Sequence, residues 1–340
     1  MSSRRMERGR AVVALAIVLT WAPAVAVAQQ EDAEKSDVSF KLGTRTWVTT
    51  GNTQMNFGVP PSINILSEFR WRGVDSVVQE INAEFVWKGL VLTSSVGTGG
   101  ISQGVLIDDD FSQDDRRGRF SHTRSSVTDD GLFYVNADLG FRLYEETPRR
   151  RYYTDIFVGY QYWHEKYVSF GATGFTCPFG NFVGTVDNPI CAAFEPAVVS
   201  PTIKFITHDY FWHSLRVGER MLIPLYTGLG LKVDTVILPW SSSRLEDVHH
   251  LRPGVGPPPA IKKNPSFLSE AKGGFGVQLD GGLTWATWWG LSIEAGYRYW
   301  RIDSGEGDTF NRALTGDIKL KLNEIIVERY GPYFGLQYRF

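Results

Sequence analysis

The chain has 340 residues, of which 35 are basic and 37 are acidic, so its formal net charge is only −2. This near balance lacks the basic footprint of a nucleic-acid-binding protein, and no nucleic-acid partner is expected. Aromatic residues make up 14% of the chain and 35 residues are glycine, which together favour a β-rich protein.

The N-terminus predicts a secretory signal peptide over residues 1–28. Four arginines between Arg4 and Arg10 precede an apolar stretch, and Ala26–Ala28 has the small-x-small pattern of a cleavage site. Cleavage would leave one domain over residues 29–340, and the loss of four Arg and one Glu would bring the net charge to about −5. An uncleaved anchor helix is the alternative, but the apolar run is short for a span and contains Pro23. The rest of the chain contains no run of about 18 apolar residues, so no transmembrane helix is predicted there.

Strict alternation of apolar and polar residues is the main signal along the rest of the chain. In Phe133–Leu143 the odd-numbered residues are apolar, whereas the even-numbered ones include Asn136, Asp138 and Arg142. Residues 223–237 and 275–285 alternate in the same way. Alternation over ten or more residues predicts strands much longer than the usual 5–6 residues of a soluble sandwich. With a signal peptide, it predicts an all-β fold, a transmembrane antiparallel β-barrel with apolar side chains facing lipid.

The connections fall into two length classes, and they divide the chain into about ten strands. The first strand is predicted near Val38–Thr49 and the second at Ser62–Trp87. Short periplasmic turns are predicted at Lys88–Gly89, Thr147–Arg150, Gly218–Arg220 and Thr287–Gly290. Long extracellular loops are predicted at Gly51–Pro61, Val105–Asp130, Gly171–Ser200, Ser241–Glu270 and Asp303–Asn323. The sequence shows no internal repeat and no domain boundary.

The only two cysteines, Cys177 and Cys191, lie in one predicted extracellular loop. In an exported protein such a pair predicts a disulfide that closes the loop. Two thiols are too few ligands for a metal site, and no metal is expected.

Two residue pairs that contain aspartate lie where strands are predicted to meet extracellular loops. Asp108 and Asp110 alternate, so on an extended backbone their side chains share a face while Asp109 points the opposite way. Two carboxylates held close together can share a proton or jointly hold a water molecule. Asp247 and His249 also alternate, and a carboxylate beside an imidazole orients the ring as a general base. The alternative for the aspartate cluster is a solvated loop or a loose cation site.

These pairs belong to a longer set of similar segments. "IDDDF" (107–111), "LEDVHHLRPG" (245–254), the long second strand "SEFRWRGVDSVVQEINAEFVWKGL" (67–90) and the terminal Phe340 together resemble the omptin family of outer-membrane proteases. The resemblance covers nearly the whole mature chain, in the order that the family shows. It implies an integral protein of the Gram-negative outer membrane whose active site faces outside.

The resemblance also implies a mechanism and its residues. His249, oriented by Asp247, would deprotonate a water that Asp108 and Asp110 help to position, and the water would attack a peptide carbonyl without a covalent intermediate. His250 is the alternative base, but its parity directs it away from Asp247. The substrates would be peptides or proteins, and the barrel is expected to be monomeric.

The family further implies a lipopolysaccharide requirement, and no other cofactor is expected. Lys166 and Lys204 are the candidates to meet lipid phosphates as point charges. Their alternative role is that of snorkelling lysines at the membrane interface.

The family's preference for basic substrates depends on acidic residues that this chain does not match. Pro60–Leu66 contains no acid, and Leu245 and Ser121 stand where the family has acids. An acidic pocket for Arg or Lys is therefore not expected from these positions, so either the substrate differs or catalysis is lost. The acids that could substitute are Glu246, Asp114 and Asp115.

Other functions stay open at this stage. A non-catalytic adhesin or structural barrel with ligand-binding loops would show the same periodicity, but it has no reason to keep both acidic pairs. A porin is disfavoured because about ten strands leave a lumen filled by side chains. His213 and Ser214 are adjacent, so on a strand they point to opposite faces and cannot form a hydrolase pair.

Overall fold

The structure, a computed structural model, describes residues 38–145, 152–176, 197–251, 264–313 and 316–340. The predicted signal peptide, the Cys177–Cys191 pair and the predicted turn at Thr147–Arg150 lie outside the described residues. Among the residues described, no helix is long and apolar enough to cross a membrane. The strands are β1 (Val38–Val59), β2 (Ile63–Trp87), β3 (Leu90–Gln113), β4 (Arg117–Val127), β5 (Gly131–Glu145), β6 (Tyr153–Thr176), β7 (Ala197–Tyr226), β8 (Leu229–His249), β9 (Phe267–Ala286), β10 (Leu291–Asp303), β11 (Gly307–Ala313) and β12 (Gly316–Arg339).

These strands form one closed antiparallel wall. β1 pairs with β2 on one side and with β12 on the other, so that Trp47 lies opposite both Val78 and Tyr333. β4 and β5 share one place in the wall beside β3, and β10 and β11 share another between β9 and β12. The twelve segments therefore fill ten places. Closure leaves no sheet edge unpaired in the membrane, and the predicted fold class is confirmed.

The alternation sorts side chains between lipid and lumen as predicted. On β5, Leu139, Phe141 and Leu143 are exposed on the outer face, whereas Tyr134 and Asn136 are buried in the lumen. The prediction that His213 and Ser214 face opposite sides is also confirmed, because Ser214 bonds Ser241 inside and His213 bonds Tyr160 outside.

The apolar outer face ends below the rim of the barrel. Tyr160, Leu215 and Trp240 are exposed register partners that form the top row of this face on β6, β7 and β8. Four residues nearer the rim on β8, the outward side chains become charged, and Arg244 bonds Glu246 at 2.6 Å. Charged outward residues indicate that the strand ends beyond this row stand outside the membrane.

Side chains fill the lumen within the membrane. Buried ion pairs join strands inside it, such as Arg142–Asp155 at 2.7 Å between the neighbouring β5 and β6 and Arg298–Glu80 at 3.0 Å across the lumen. A cavity of about 70 Å³ remains beside Arg298 and Glu80. Above these pairs lies a layer of rings whose centroids are 5.1–5.5 Å apart: Trp47, Tyr134, Trp163 and Trp300. This packing is the filled lumen expected of a narrow barrel.

Within the described part of the chain, most of the segments predicted as long loops are strand. β1 continues to Val59 and only residues 60–62 join it to β2, while β3 continues to Gln113 and only residues 114–116 join it to β4. The polar residues mark the point where the strands leave the membrane, and beyond it the backbone continues to pair. The barrel therefore carries tall hairpins on its outer side.

One predicted turn is wrong. Gly218–Arg220 lies inside β7, which runs on to Tyr226, and the turn occurs at residues 227–228. Gly218 serves close packing, since a Cβ there would lie 2.6 Å from the ring of Phe157. The predicted turns at Lys88–Gly89 and Thr287–Gly290 are confirmed; at the first, both residues have the positive φ of a two-residue hairpin turn.

Candidate active site

The candidate site lies in the lumen at the outer rim, where the pairing register aligns residues from several strands. His208 of β7 is opposite Asp247 of β8, and Asp247 is opposite Phe267 of β9. His249 follows two residues after Asp247 and therefore shares its lumen face. All four side chains are buried.

Asp247 and His249 form the contact that the sequence predicted. The Nδ1 of His249 is 2.9 Å from the Oδ1 of Asp247, and the two residues are 6% and 1% exposed. The distance is that of a hydrogen bond, although the N–H is not well aligned with the oxygen. With Nδ1 facing the carboxylate, Nε2 is the ring nitrogen that can accept a proton.

A second imidazole, which sequence reasoning missed, holds the same carboxylate. The Nε2 of His208 is 3.3 Å from the Oδ2 of Asp247, and here too the N–H is not well aligned with the oxygen. Alternation in "HDYFW" gives His208 the same face as the buried Tyr210 and Trp212. That parity was readable from the sequence, but the register that brings β7 opposite Asp247 was not.

The two imidazoles set the charge state of the carboxyl group. Burial alone would raise the pKa of Asp247, but the neighbouring His249 and His208 outweigh burial and hold the pKa well below its usual range. Asp247 is therefore a carboxylate at neutral pH and can accept hydrogen bonds from both rings.

The aspartates of β3 divide between the two faces of the wall as predicted. Asp108 lies opposite Phe69 of β2 and is buried, and Asp110 follows on the same face. Asp109 faces outward, where it bonds Arg119 at 3.2 Å and His122 at 2.6 Å. Of the three aspartates, only Asp108 and Asp110 are therefore directed to the lumen.

Phe69 connects the two walls of the site. Its ring lies 4.7 Å from that of His208 and 6.3 Å from that of His249, across the lumen from its own strand. Direct cross-strand neighbours such as Phe69 and Asp108 have Cβ atoms about 5 Å apart. The Asp108 side of the barrel and the His249 side thus converge on one aromatic ring.

Apolar rings surround the imidazole of His249 on its other sides. Phe267 lies 5.6 Å from His249 between ring centroids, and Phe57 packs against both Phe267 and Phe69. Leu245, two residues before Asp247, is fully buried on the same face. The immediate environment of the imidazole is therefore aromatic and aliphatic.

The alternative acids named for substrate selection do not line this site. Glu246 bonds Arg244 on the outer face at 2.6 Å. Asp114 and Asp115 are at the tip of the β3–β4 hairpin, where they bond Asn64 at 2.8 Å and 3.0 Å. These residues tie neighbouring hairpins together, and their suggested role in an acidic pocket is not supported.

The other predicted residues lie on the outward face of the barrel wall. His250 bonds the hydroxyl of Thr207 at 2.8 Å. Lys166 forms an ion pair with Asp130 at 2.5 Å, and this hydrogen bond raises the pKa of the lysine. Lys204 is exposed, with its Nζ 6.0 Å from the ring centre of Phe170. Among the residues described, no group of three or more His, Cys, Asp or Glu side chains is arranged to hold a metal ion.

Comparison with known proteins gives a match at the level of structure alone. No protein-family model matches the sequence, and no curated protein sequence matches it. The crystal structure of the outer membrane protease OmpT from Escherichia coli superposes with a TM-score of 0.69, over 91% of this chain and 99% of that one, at 13% sequence identity. The fold is similar to that of OmpT. At this identity the likeness shows the fold and does not extend to the chemistry.

Two further barrels are much less similar. A Pseudomonas aeruginosa FadL homologue gives a TM-score of 0.27 at 8% identity, over 90% of each chain. The β domain of the Bordetella autotransporter BrkA gives 0.23 at 11% identity, over 89% of this chain and 100% of that one. Scores this low carry no functional argument.

Proposed function

We propose that this protein is an outer-membrane endopeptidase, monomeric and facing the cell exterior, that cleaves peptides or proteins with an activated water molecule. His249 accepts a proton from the water through Nε2, and Asp247 orients the imidazole and stabilises the imidazolium that forms. Asp108 and Asp110 hold the water from the opposite wall. The attack gives a tetrahedral intermediate, and the proton on His249 then passes to the leaving amine.

One observation carries this proposal: the buried Asp247–His249 contact of 2.9 Å lies at the outer rim and packs against Phe69, the register neighbour of Asp108. A general base needs an oriented imidazole, and a hydrolytic base needs a second group that positions water. A structural or adhesive barrel requires neither. The fold is similar to that of OmpT, an outer membrane protease, which supports the same interpretation.

The test is cleavage of a diverse peptide library by the refolded protein, with and without lipopolysaccharide. His249→Ala is expected to lower kcat/KM by about 10²–10⁴-fold, because the general base is removed. His250→Ala is the matched control, since this neighbouring histidine bonds Thr207 on the outer side, and it should keep wild-type activity. Equal activity of the wild type and His249→Ala, or an inert wild type, would contradict the proposed function.

The cleaved peptides also report on specificity. Because the side chains described around the Asp247–His249 pair are apolar, among them Phe69, Phe267 and Leu245, we expect no preference for Arg or Lys at the scissile bond. If cleavage occurs only next to basic residues, the site must receive them through acids other than Glu246, Asp114 and Asp115.

Lipopolysaccharide is proposed as a membrane partner of the barrel, with Lys166 and Lys204 as its candidate contacts. Lys204 is the more exposed of the two, whereas Lys166 already pairs with Asp130. A requirement for lipopolysaccharide that Lys204→Ala weakens would support this assignment.

A further inference from the structure

We propose that His208 is a positioning residue for the water-activating pair, a neutral imidazole whose Nε2–H fixes the Asp247 carboxylate. The inference rests on the proposed function, since it concerns the same site. It adds His208 to the Asp247–His249 pair and states which nitrogen of the His208 ring carries the hydrogen.

Trp71 determines the tautomer of His208. The Nε1–H of the indole points at the Nδ1 of His208 at 3.0 Å, and an indole nitrogen can only donate. Nδ1 must therefore offer its lone pair. The hydroxyl of Tyr210 lies 3.4 Å from the same nitrogen and can donate to it as well. The single hydrogen of the neutral ring then resides on Nε2, which faces the Oδ2 of Asp247 at 3.3 Å.

Aromatic side chains enclose this imidazole. His208, Trp71 and Tyr210 are all fully buried, and the ring of Phe69 packs edge-on against His208 at 4.7 Å. A proton added at the Nδ1 of His208 would face the indole N–H of Trp71. The imidazolium formed would also be a second buried charge, beside that of Asp247, that has lost its water. The Asp247 carboxylate is the acid facing His208.

The remaining titratable neighbours of His208 do not supply a second negative charge. Tyr210 follows on its own strand, Tyr167 lies opposite it on β6, and His249 shares the Asp247 carboxylate. Burial raises the pKa of Tyr210 well above its usual value, so the phenol stays neutral. Further along the lumen, Glu165 is compensated by Arg329 at 2.7 Å.

The consequence for the reaction concerns orientation and basicity. The Oδ1 of Asp247 faces His249 and its Oδ2 faces His208. Two rings on two strands therefore fix the plane of one carboxylate. Without the Nε2–H of His208 beside it, the carboxylate can turn and its charge is less well solvated. The kcat should fall because His249 is less well oriented. The acid limb of the pH profile should move to higher pH because the imidazole binds its proton more tightly.

The tautomer can be tested without any assay of activity. The full chain, labelled with ¹⁵N-histidine and refolded in detergent micelles, should give one histidine that a His208→Gln variant removes from the spectrum. Its Nε2 is expected to be protonated and its Nδ1 unprotonated, and neither signal should titrate between about pH 5 and 8, the range in which ordinary histidines do. A protonated Nδ1, or titration in this range, would overturn the proposal.

The positioning role is tested by two substitutions of similar size. In His208→Gln the amide N–H₂ can replace the Nε2–H donor, whereas His208→Met has no donor. His208→Met is expected to lower kcat by about 10–100-fold, the range seen when partners of a functional group are removed, and to shift the acid limb upward. His208→Gln should restore most of both.

Packing loss alone would lower kcat at every pH and to the same extent in both variants, which would contradict the positioning role. If the wild type cleaves no peptide, the proposed function and the catalytic part of this inference fail together. The spectrum still decides the hydrogen-bond arrangement on its own.

Discussion

Asp247 is the residue on which the proposed chemistry depends. Its carboxylate is 1% exposed and lies between two imidazoles, at 2.9 Å and 3.3 Å. A buried charge of this kind is tolerated only when its partners compensate the loss of water. The same contacts that orient His249 therefore also contribute to the stability of the rim.

The stability contribution of Asp247 should depend on pH with a defined sign. Its pKa is lower in the folded protein than the usual value of about 3.9 in an unfolded chain. The contribution is therefore fully present above about pH 4 and is lost as the pH falls towards the folded-state pKa. Asp247→Asn should lower the free energy of unfolding by about 1–3 kcal/mol at pH 7, and the difference from wild type should shrink in acid.

Urea unfolding in lipid vesicles, followed by tryptophan fluorescence between pH 3 and 8, measures this difference. Glu246→Gln is the control, because that neighbour belongs to an exposed pair with Arg244, a kind worth about 0–1 kcal/mol. A difference for Asp247→Asn that grows as the pH falls would show that the carboxylate is not stabilised by the imidazoles.

At the scale of residues, the sequence was informative about parity and uninformative about register. Alternation alone placed Asp108 with Asp110 and Asp247 with His249 on common faces, and the structure shows the same faces. His208 was missed because its relation to Asp247 depends on how β7 aligns with β8, which local pattern does not encode.

Among the elements, the pairing of β1 with β12 closes the barrel, and glycine makes the close approach possible. A Cβ on Gly331 would lie 2.0 Å from the carbonyl oxygen of Val48 on the facing strand. No backbone contact of that length is tolerated, so any larger residue must push the two strands apart.

Gly331→Ala is therefore expected to destabilise the barrel by about 1–3 kcal/mol, the usual cost of overpacking. Gly281→Ala is the matched control on β9, where an added Cβ would meet nothing within 4 Å. Both variants are compared by urea unfolding in lipid vesicles. Equal midpoints would show that the β1–β12 seam can open locally without cost.

The same scale explains why the hairpins at the rim were predicted as loops. Residues such as Gln54, Glu68 and Asp109 are polar, which in a soluble protein is typical of connecting segments. Here they pair in register on the outer face, where Gln54 bonds Glu68 at 3.2 Å. Water surrounds both the rim strands and the loops. A polar composition therefore marks where a strand leaves the membrane and not where the strand ends.

At the scale of the molecule, the barrel is a closed support for a site at one end. The ion pairs and the ring layer around Trp163 and Trp300 fill the lumen below the rim. The rigid wall then brings β3 and β8, which are far apart in the sequence, to opposite sides of Phe69. This convergence depends on the closed barrel, and local sequence patterns cannot predict it.

The central claim is that both walls act on one water molecule, and a double-mutant cycle tests it most directly. Asp108→Asn, His249→Ala and the double variant are compared by kcat/KM on one peptide from the library. Residues that act as a unit give non-additive losses, so the double variant should be no more than about twofold worse than the more damaged single variant. If the two losses multiply, Asp108 and His249 act independently and the shared water does not exist.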